Sequence, residues 1–285
     1  MRSLPLLFGL LASAFGIDES SPVEPAKHQA IALRNYYAMT AARYEFFRDP
    51  DKQQKLNLIP TPILKWTMDN DWSGDVFIWE RSQRPEIIGC ILASPEEKGS
   101  RKVYQEFHLL GEKPNGTTEL IGQVKWTPKE GLALKPAAGA PKPAETAPLR
   151  LSQMRQIMRD FTAKMQAEGE WELRLLPQPL HRYQPTEGDA IDGALFAFVW
   201  TKGTDPELIL RLECRKTSEG LGWFYSPAQF TTREVWLLYQ DQEVWRVPGL
   251  NGRNEKETFI TVELGDYKTA KPQPRQDSPE ATKPK

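Results

Sequence analysis

The chain has 285 residues, 39% hydrophobic, 26% charged and 10% aromatic. That length suits two average domains better than one, and the apolar content excludes wholesale disorder. A net charge of −1 argues against nucleic acid as the main partner, while two Cys and three His exclude disulfide scaffolds and Cys/His zinc modules. The mean hydropathy is −0.56, and no apolar run approaches the ~20 residues that cross a bilayer, so no transmembrane span is expected.

The first residues have the parts of a secretory signal. Met1-Arg2-Ser3 precedes an apolar stretch from Leu4 to Leu11, and Ala12-Ser13-Ala14 comes next as a small-residue exit. A signal peptide is therefore expected over residues 1–16, with delivery to the periplasm, the cell envelope or the extracellular space. No cysteine follows it, so no lipid attachment is expected. Asn115-Gly116-Thr117 matches a glycosylation sequon, but the central glycine reads better as a turn.

An internal repeat organises the rest of the chain. Residues 56–66 (LNLIPTPILKW) recur as 173–183 (LRLLPQPLHRY), and 77–88 (FIWERSQRPEII) recur as 198–209 (FVWTKGTDPELI). Leu151, Met154, Met158, Phe161 and Met165 form a helix-spaced apolar stripe within 149–166, and a stripe of the same phase lies within 26–48. Closely spaced strands near 171–176, 195–201, 207–215, 222–230, 234–240 and 243–247 must pair antiparallel. The expected fold class is α+β: two tandem copies of a helix followed by an antiparallel β-meander, the helix packed on one face of a curved sheet. The first repeat unit covers 25–128 and the second 149–265. Residues 129–148 form the connection, of which 135–148 is a Pro/Ala-rich semi-extended linker, and 266–285 is a disordered tail. Residues 258–264 are expected to add an edge strand to the second unit.

Alternate residues on a strand face opposite sides. In the second unit Leu208, Leu210, Leu212 and Cys214 share the core face, and Arg211, Glu213 and Arg215 a wet outer face. In the first unit the outer face becomes Ile88, Cys90 and Leu92, with no charge. It must be covered by the second unit, by the N-terminal segment or by another chain, and is the candidate binding face. Cys90 and Cys214 sit on opposite faces of equivalent strands. That argues against a disulfide and leaves open whether each is free.

Chemistry is sparse. Tyr104, Glu106 and His108 share one strand face, so Glu106 and His108 are the candidate general acid–base pair, with Cys90 a conceivable nucleophile. The pair lacks a third ligand nearby in sequence, so no metal is expected, and no cofactor motif is present. Asp205/Glu207 read as turn and cap residues, and His181 as a surface or packing substitution. Trp72, Trp223 and Trp236 have no counterpart in the other copy and are candidates for a recognition surface.

The blocks LRLLPQPLHRY and DGALFAFVWTKGTDPELILRLECR (192–215), followed by WFYSPAQFT and EVW, resemble a large paralogous family of planctomycete-type bacterial exported proteins. WSGDVFIWERSQRPEIIGCIL and EFHLL of the first unit fit the same family. The resemblance implies a bacterial origin and export, and brings no activity, cofactor or catalytic residue with it.

Two functions are consistent with these readings, and a small-molecule carrier is a third and minor one if the curved sheets enclose a cavity. The first is a non-catalytic exported binding protein of the bacterial cell envelope, with a protein partner on one sheet face or on the seam between copies. The second is a hydrolase-like enzyme using Glu106 and His108 in a cleft of the first unit. The ligand, the oligomeric state and the way the sheets dock stay open.

Overall fold

A computed structural model describes residues 23–49, 51–96, 100–111, 118–201, 203–252 and 254–268. The expected signal peptide, the sequon and the tail after Lys268 lie outside the described residues.

In chain order the elements are α1 (Val23–Ala41), β1 (Asn57–Leu58), β2 (Leu64–Thr67), β3 (Ser73–Arg81), β4 (Arg84–Pro95), β5 (Ser100–Leu109), β6 (Thr118–Leu120), β7 (Val124–Trp126) and β8 (Lys135–Pro136). Then come α2 (Ala147–Ile157), β9 (Phe161–Gln166), β10 (Glu170–Leu175), β11 (His181–Tyr183), β12 (Ala190–Val199), β13 (Pro206–Thr217), β14 (Gly220–Gln229), β15 (Val235–Tyr239), β16 (Gln242–Val247) and β17 (Phe259–Lys268). The first sheet runs β1-β3-β4-β5-β17, with β2 also on β3. The second runs β16-β15-β9-β10-β12-β13-β14-β8, with β11 also on β12, and curls into an antiparallel half-barrel. Strands β6 and β7 pair with each other.

The chain is therefore mostly β, at 50% strand and 13% helix, and is not two tandem helix-and-meander units. The expected α+β class is corrected on three counts. First, the helix read over 149–166 ends at Ile157, and after a 3-10 turn at Met158–Asp160 the chain becomes strand β9. Phe161, Ala163 and Met165 point into the core with Thr162 and Lys164 between them, so the last part of the helical stripe is also a strand alternation. Pairing with both β10 and β15 decides between the two. Second, β17 does not extend the second unit. It pairs with β5 of the first sheet, from Phe259 opposite His108 to Lys268 opposite Ser100, and so takes in the start of the expected tail. Third, the Pro/Ala-rich linker is docked along the second sheet. β8 pairs with β14, Ala137 is buried, and the Tyr239 hydroxyl donates to the Ala138 carbonyl at 2.8 Å.

Three apolar cores arrange these elements into four layers. Leu33, Tyr37 and Ala41 of α1 pack with Phe77, Trp79, Ile91 and Phe107 on one face of the first sheet. Met154 and Ile157 of α2 pack with Phe196, Leu210, Leu212 and Cys214 on one face of the second. Between the sheets lies the third core, with Val76, Ile78, Ile88, Cys90 and Leu92 against Leu195, Ala197, Val199, Ile209 and Phe230. The sheets thus pack face to face. Ile88, Cys90 and Leu92 are covered by the second half of the same chain, and the candidate binding face is an internal surface. The expected wet face of β13 is corrected by the same packing, because Arg211 and Glu213 are both 0% exposed in the seam.

Two hairpins close through turns whose central residues have positive φ, Ser82-Gln83 between β3 and β4 and Gln240-Asp241 between β15 and β16. That backbone twist matches the twist of the flanking strands. In each sheet an aromatic ring of the strand paired across from it lies close against a glycine. A Cβ on Gly74 would come within 2.7 Å of the Trp66 ring, and one on Gly193 within 2.5 Å of the Tyr183 ring. Cys90 and Cys214 are both free and buried, in different cores.

If the seam is the main stabilising core, Ile88→Ala should lower the unfolding free energy by about 2–5 kcal/mol. Leu149→Ala, on an exposed position of α2, should change it by less than about 0.5 kcal/mol. Urea unfolding of both variants provides the check, and equal small effects would contradict the seam assignment.

Candidate functional site

At one end of the seam the two sheets open into a cavity of about 320 Å³. The first sheet contributes Glu106 from β5 and Leu92 from β4, and the turn before β3 adds Trp72. The second sheet contributes Glu207 from β13 and Asp205 just before it, with Trp200, Phe230, Thr231 and Arg233 around them. Glu106 lies on the seam face because Tyr104, Glu106 and His108 alternate with the buried core residues Val103 and Phe107 on the α1 side. Asp205 and Glu207 share the parity of Ile209, Arg211 and Glu213, so the same alternation along β13 brings them into the seam.

The electrostatics follow from burial. Glu106 is pushed up to about 8, first by desolvation and then by the neighbouring charge of Glu207, with a hydrogen bond from Thr261 opposing. Asp205 is raised well above the usual carboxylate range by burial and by the charges of Glu207 and Glu106. Glu207 is raised by burial, against the Thr231 hydroxyl and the Arg233 guanidinium. Carboxyl groups this close in a poorly solvated space cannot all ionise, so protons are retained here at neutral pH. Such groups both donate and accept hydrogen bonds.

The aromatic walls are held in place by their own contacts. Trp72 stacks on Tyr104 with centroids 6.0 Å apart and planes 9° from parallel. The Arg233 guanidinium lies 5.3 Å from the Trp200 ring centroid, and Trp171 meets Trp200 edge-on at 6.1 Å.

Of the residues singled out in the sequence, Glu106 lies in this cavity and His108 does not. His108 is buried, its Nδ1 lies 2.9 Å from the Leu109 carbonyl, and its ring is tilted against Phe259. Burial pushes its basicity down to about 3, the Arg211 charge acts in the same direction, and the Leu109 hydrogen bond opposes. With Nδ1–H committed to a carbonyl, the imidazole is a neutral packing group and forms no acid–base pair with Glu106. The Cys90 thiol is pushed up by burial and by the charge of Glu106, which disfavours the nucleophilic thiolate. Of the candidate recognition tryptophans, Trp72 lines the cavity, Trp223 is buried in the α2-side core, and Trp236 lies under Arg246 at 4.2 Å.

Sequence reasoning missed Asp205 and Glu207 by reading them as turn and cap. The signal that finds them is the uncharged face of β4. A face that must be covered requires an opposing sheet, and polar residues of matching parity on that sheet then fall inside the seam.

Two other cavities carry less chemistry. One of about 490 Å³ is lined by Arg34 and Arg101, but Arg34 is already committed to Asp75 and to the carbonyls of Gly74 and Trp66. One of about 570 Å³ near the opposite end of β3 holds Glu80, His181 and Arg182. Burial raises Glu80 and lowers His181, and Arg182 is tied to Asp192. Among the described residues no group of three or more His, Cys, Asp and Glu is placed to hold a metal ion, and no helix is long and apolar enough to cross a membrane. No protein-family model, no curated protein and no solved structure matches the chain.

The raised carboxyls give a pH dependence with a definite sign. A group protonated in the folded state and ionised in the unfolded chain contributes stability that is lost as pH rises toward its folded value. His108 and His181, whose basicity is lowered by folding, act the opposite way below about 6.5. Between pH 6.5 and 8.5 the carboxyls dominate, and unfolding free energy should fall by on the order of 1 kcal/mol per pH unit. Glu106→Gln should flatten that slope. Stability that is level or rising over this window in the unmodified chain would refute the assignment.

Proposed function

We propose that the protein is an exported binding protein that takes a small, hydroxyl-rich polar ligand into the cavity at the carboxyl end of the seam. One observation carries this reading: a cavity of about 320 Å³ whose polar groups come from both sheets, Glu106 from one and Asp205 and Glu207 from the other, beside Trp72 and Trp200. Protonated carboxyls that donate and accept, next to flat aromatic faces, suit the alternating hydroxyl and C–H surfaces of a sugar-like molecule. Burial of Ile88, Cys90 and Leu92 moves the binding role from the outer sheet face to this cleft.

Export rests on the residues from Met1 to Gly16 and on the resemblance to planctomycete-type exported proteins. Duplication belongs to the same reading. It is supported by the recurring sequence blocks and by the pairs Trp66 on Gly74 and Tyr183 on Gly193.

A catalytic reading is favoured by one feature. Glu106, pushed up to about 8, holds a proton at neutral pH and so is a potential acid beside Glu207. Titration calorimetry against neutral sugars, organic amines and short carboxylates separates the readings. A neutral sugar should bind, and Trp72→Ala and Glu207→Gln should each weaken it by about tenfold or more, equivalent to ~1.4 kcal/mol. Sugar turnover that Glu106→Gln abolishes while binding persists would make the protein an enzyme. Absence of binding by all three classes would end the cleft proposal. Mass spectrometry of the secreted chain should find an N-terminus at residue 15 or 17 if export with cleavage occurs.

A further inference from the structure

Away from the carboxyl end, the seam holds a second charged group. Glu213 on β13 is 0% exposed and accepts four hydrogen bonds: Arg84 Nε to Oε1 at 2.9 Å, Arg84 Nη2 to Oε2 at 3.0 Å, the Tyr183 hydroxyl to Oε1 at 2.8 Å and Arg215 Nη1 to Oε2 at 2.9 Å. A carboxylate has about four lone-pair sites, so its capacity is fully used. Arg211, two residues before it on the same face, is also 0% exposed. None of its Nε, Nη1 and Nη2 atoms has a hydrogen-bond partner. Its charge is felt by Glu213, Tyr183 and His108. None of them bonds it: the four bonds to Glu213 come from Arg84, Tyr183 and Arg215, the Tyr183 hydroxyl is turned to Glu213, and His108 holds the Leu109 carbonyl through Nδ1.

A guanidinium is always charged and presents five N–H donors in a plane. Burying it with every donor unmet costs several kcal/mol, and the one carboxylate whose charge it feels, Glu213, is shared with Arg84 and Arg215. The side-chain neighbours across the ladder are Leu195 on β12 and Ser226 on β14, and the Ser226 hydroxyl donates to the Leu132 carbonyl. Neither supplies negative charge. Full burial restricts any occupant to a small ion.

We propose that Arg211 holds a small monovalent anion of the halide class inside the seam, as a structural site separate from the carboxyl-end cavity. The anion accepts from the guanidinium fork and neutralises the one arginine of this group that Glu213 does not bond. The site ties β13 to the middle of the seam, so its occupancy is expressed as stability of the packed sheets.

The test compares thermal unfolding of the full chain in sodium chloride, sodium bromide and sodium gluconate at matched ionic strength. Both halides should raise the midpoint above gluconate by several degrees along a saturable curve. Arg211→Met should remove that increment, and Arg211→Lys should reduce it. Crystals grown in bromide should show an anomalous peak within hydrogen-bond distance of the Arg211 guanidinium, a readout that holds even if Arg211→Met fails to fold. Equal stabilisation by gluconate, a halide increment that survives Arg211→Lys undiminished, or water alone in the bromide map would each overturn the site. The outcome is independent of sugar binding at the other end of the seam, because Arg211 does not line that cavity.

Discussion

Strand β4 carries apolar side chains on both of its faces, and such a strand has to be covered twice. Helix α1 with its neighbouring loops covers one face and the second sheet covers the other. From that requirement come the four-layer stack, the burial of the β13 face that carries Arg211 and Glu213, and the position of every cavity group contributed by β5 and β13. The polar residues of β13 could not stay in the seam without partners. The ion pair between Arg84 and Glu213 is the most complete of these, joining the start of β4 to β13 across the sheets. Burial by itself would push the Glu213 carboxyl up. The Arg211 charge, followed by Arg84 and the Tyr183 hydroxyl, overcomes this and holds it down to about 2.

The strand positions of the second half are legible in the sequence because Gly, Pro and Asp punctuate alternating apolar runs. The covered face of β4 is legible from parity, and so is the separation of Cys90 from Cys214. What fails is long-range. Phe161 and Met165 satisfy both a 3.6-residue and a two-residue period, and only pairing with β10 and β15 distinguishes them. Residues 258–264 read as a strand, but no local property says which sheet edge a terminal strand joins, and β5 of the first sheet is the edge that takes it. The Pro/Ala-rich stretch reads by composition as a linker, whereas Ala137 and Ala140 are small enough to lie close against the second sheet.

The same division applies to the cavity. Glu106 can be flagged because it shares a strand face with a histidine, yet the partner that matters is on another strand in the other half of the chain. Asp205 beside Pro206 has every local mark of a turn residue, and it does sit just outside a strand. Its electrostatic role comes only from the opposing sheet. His108 is the converse case. Its residue type suggests chemistry, and a single bond from Nδ1 to the Leu109 carbonyl in an apolar setting removes it.

Along β13 the seam changes character within a few residues. At Glu213 the carboxylate is ionised, saturated with donors and closed to solvent, and its two bonds from Arg84 are the ones that join the sheets. At Glu207 and Asp205 burial raises both carboxyls, and the cation they sense, Arg233, is exposed and lies over Trp200. Ionisation at that end adds repulsion between the sheets, whereas ionisation of Glu213 adds attraction. Opposite responses to the same loss of a proton make the Glu213 region the fixed part of the interface and the carboxyl end the part that yields. A ligand that supplies hydrogen-bond partners to Glu106, Asp205 and Glu207 therefore acts on the weaker end, where modest binding energy has the largest effect on how the two sheets stay packed.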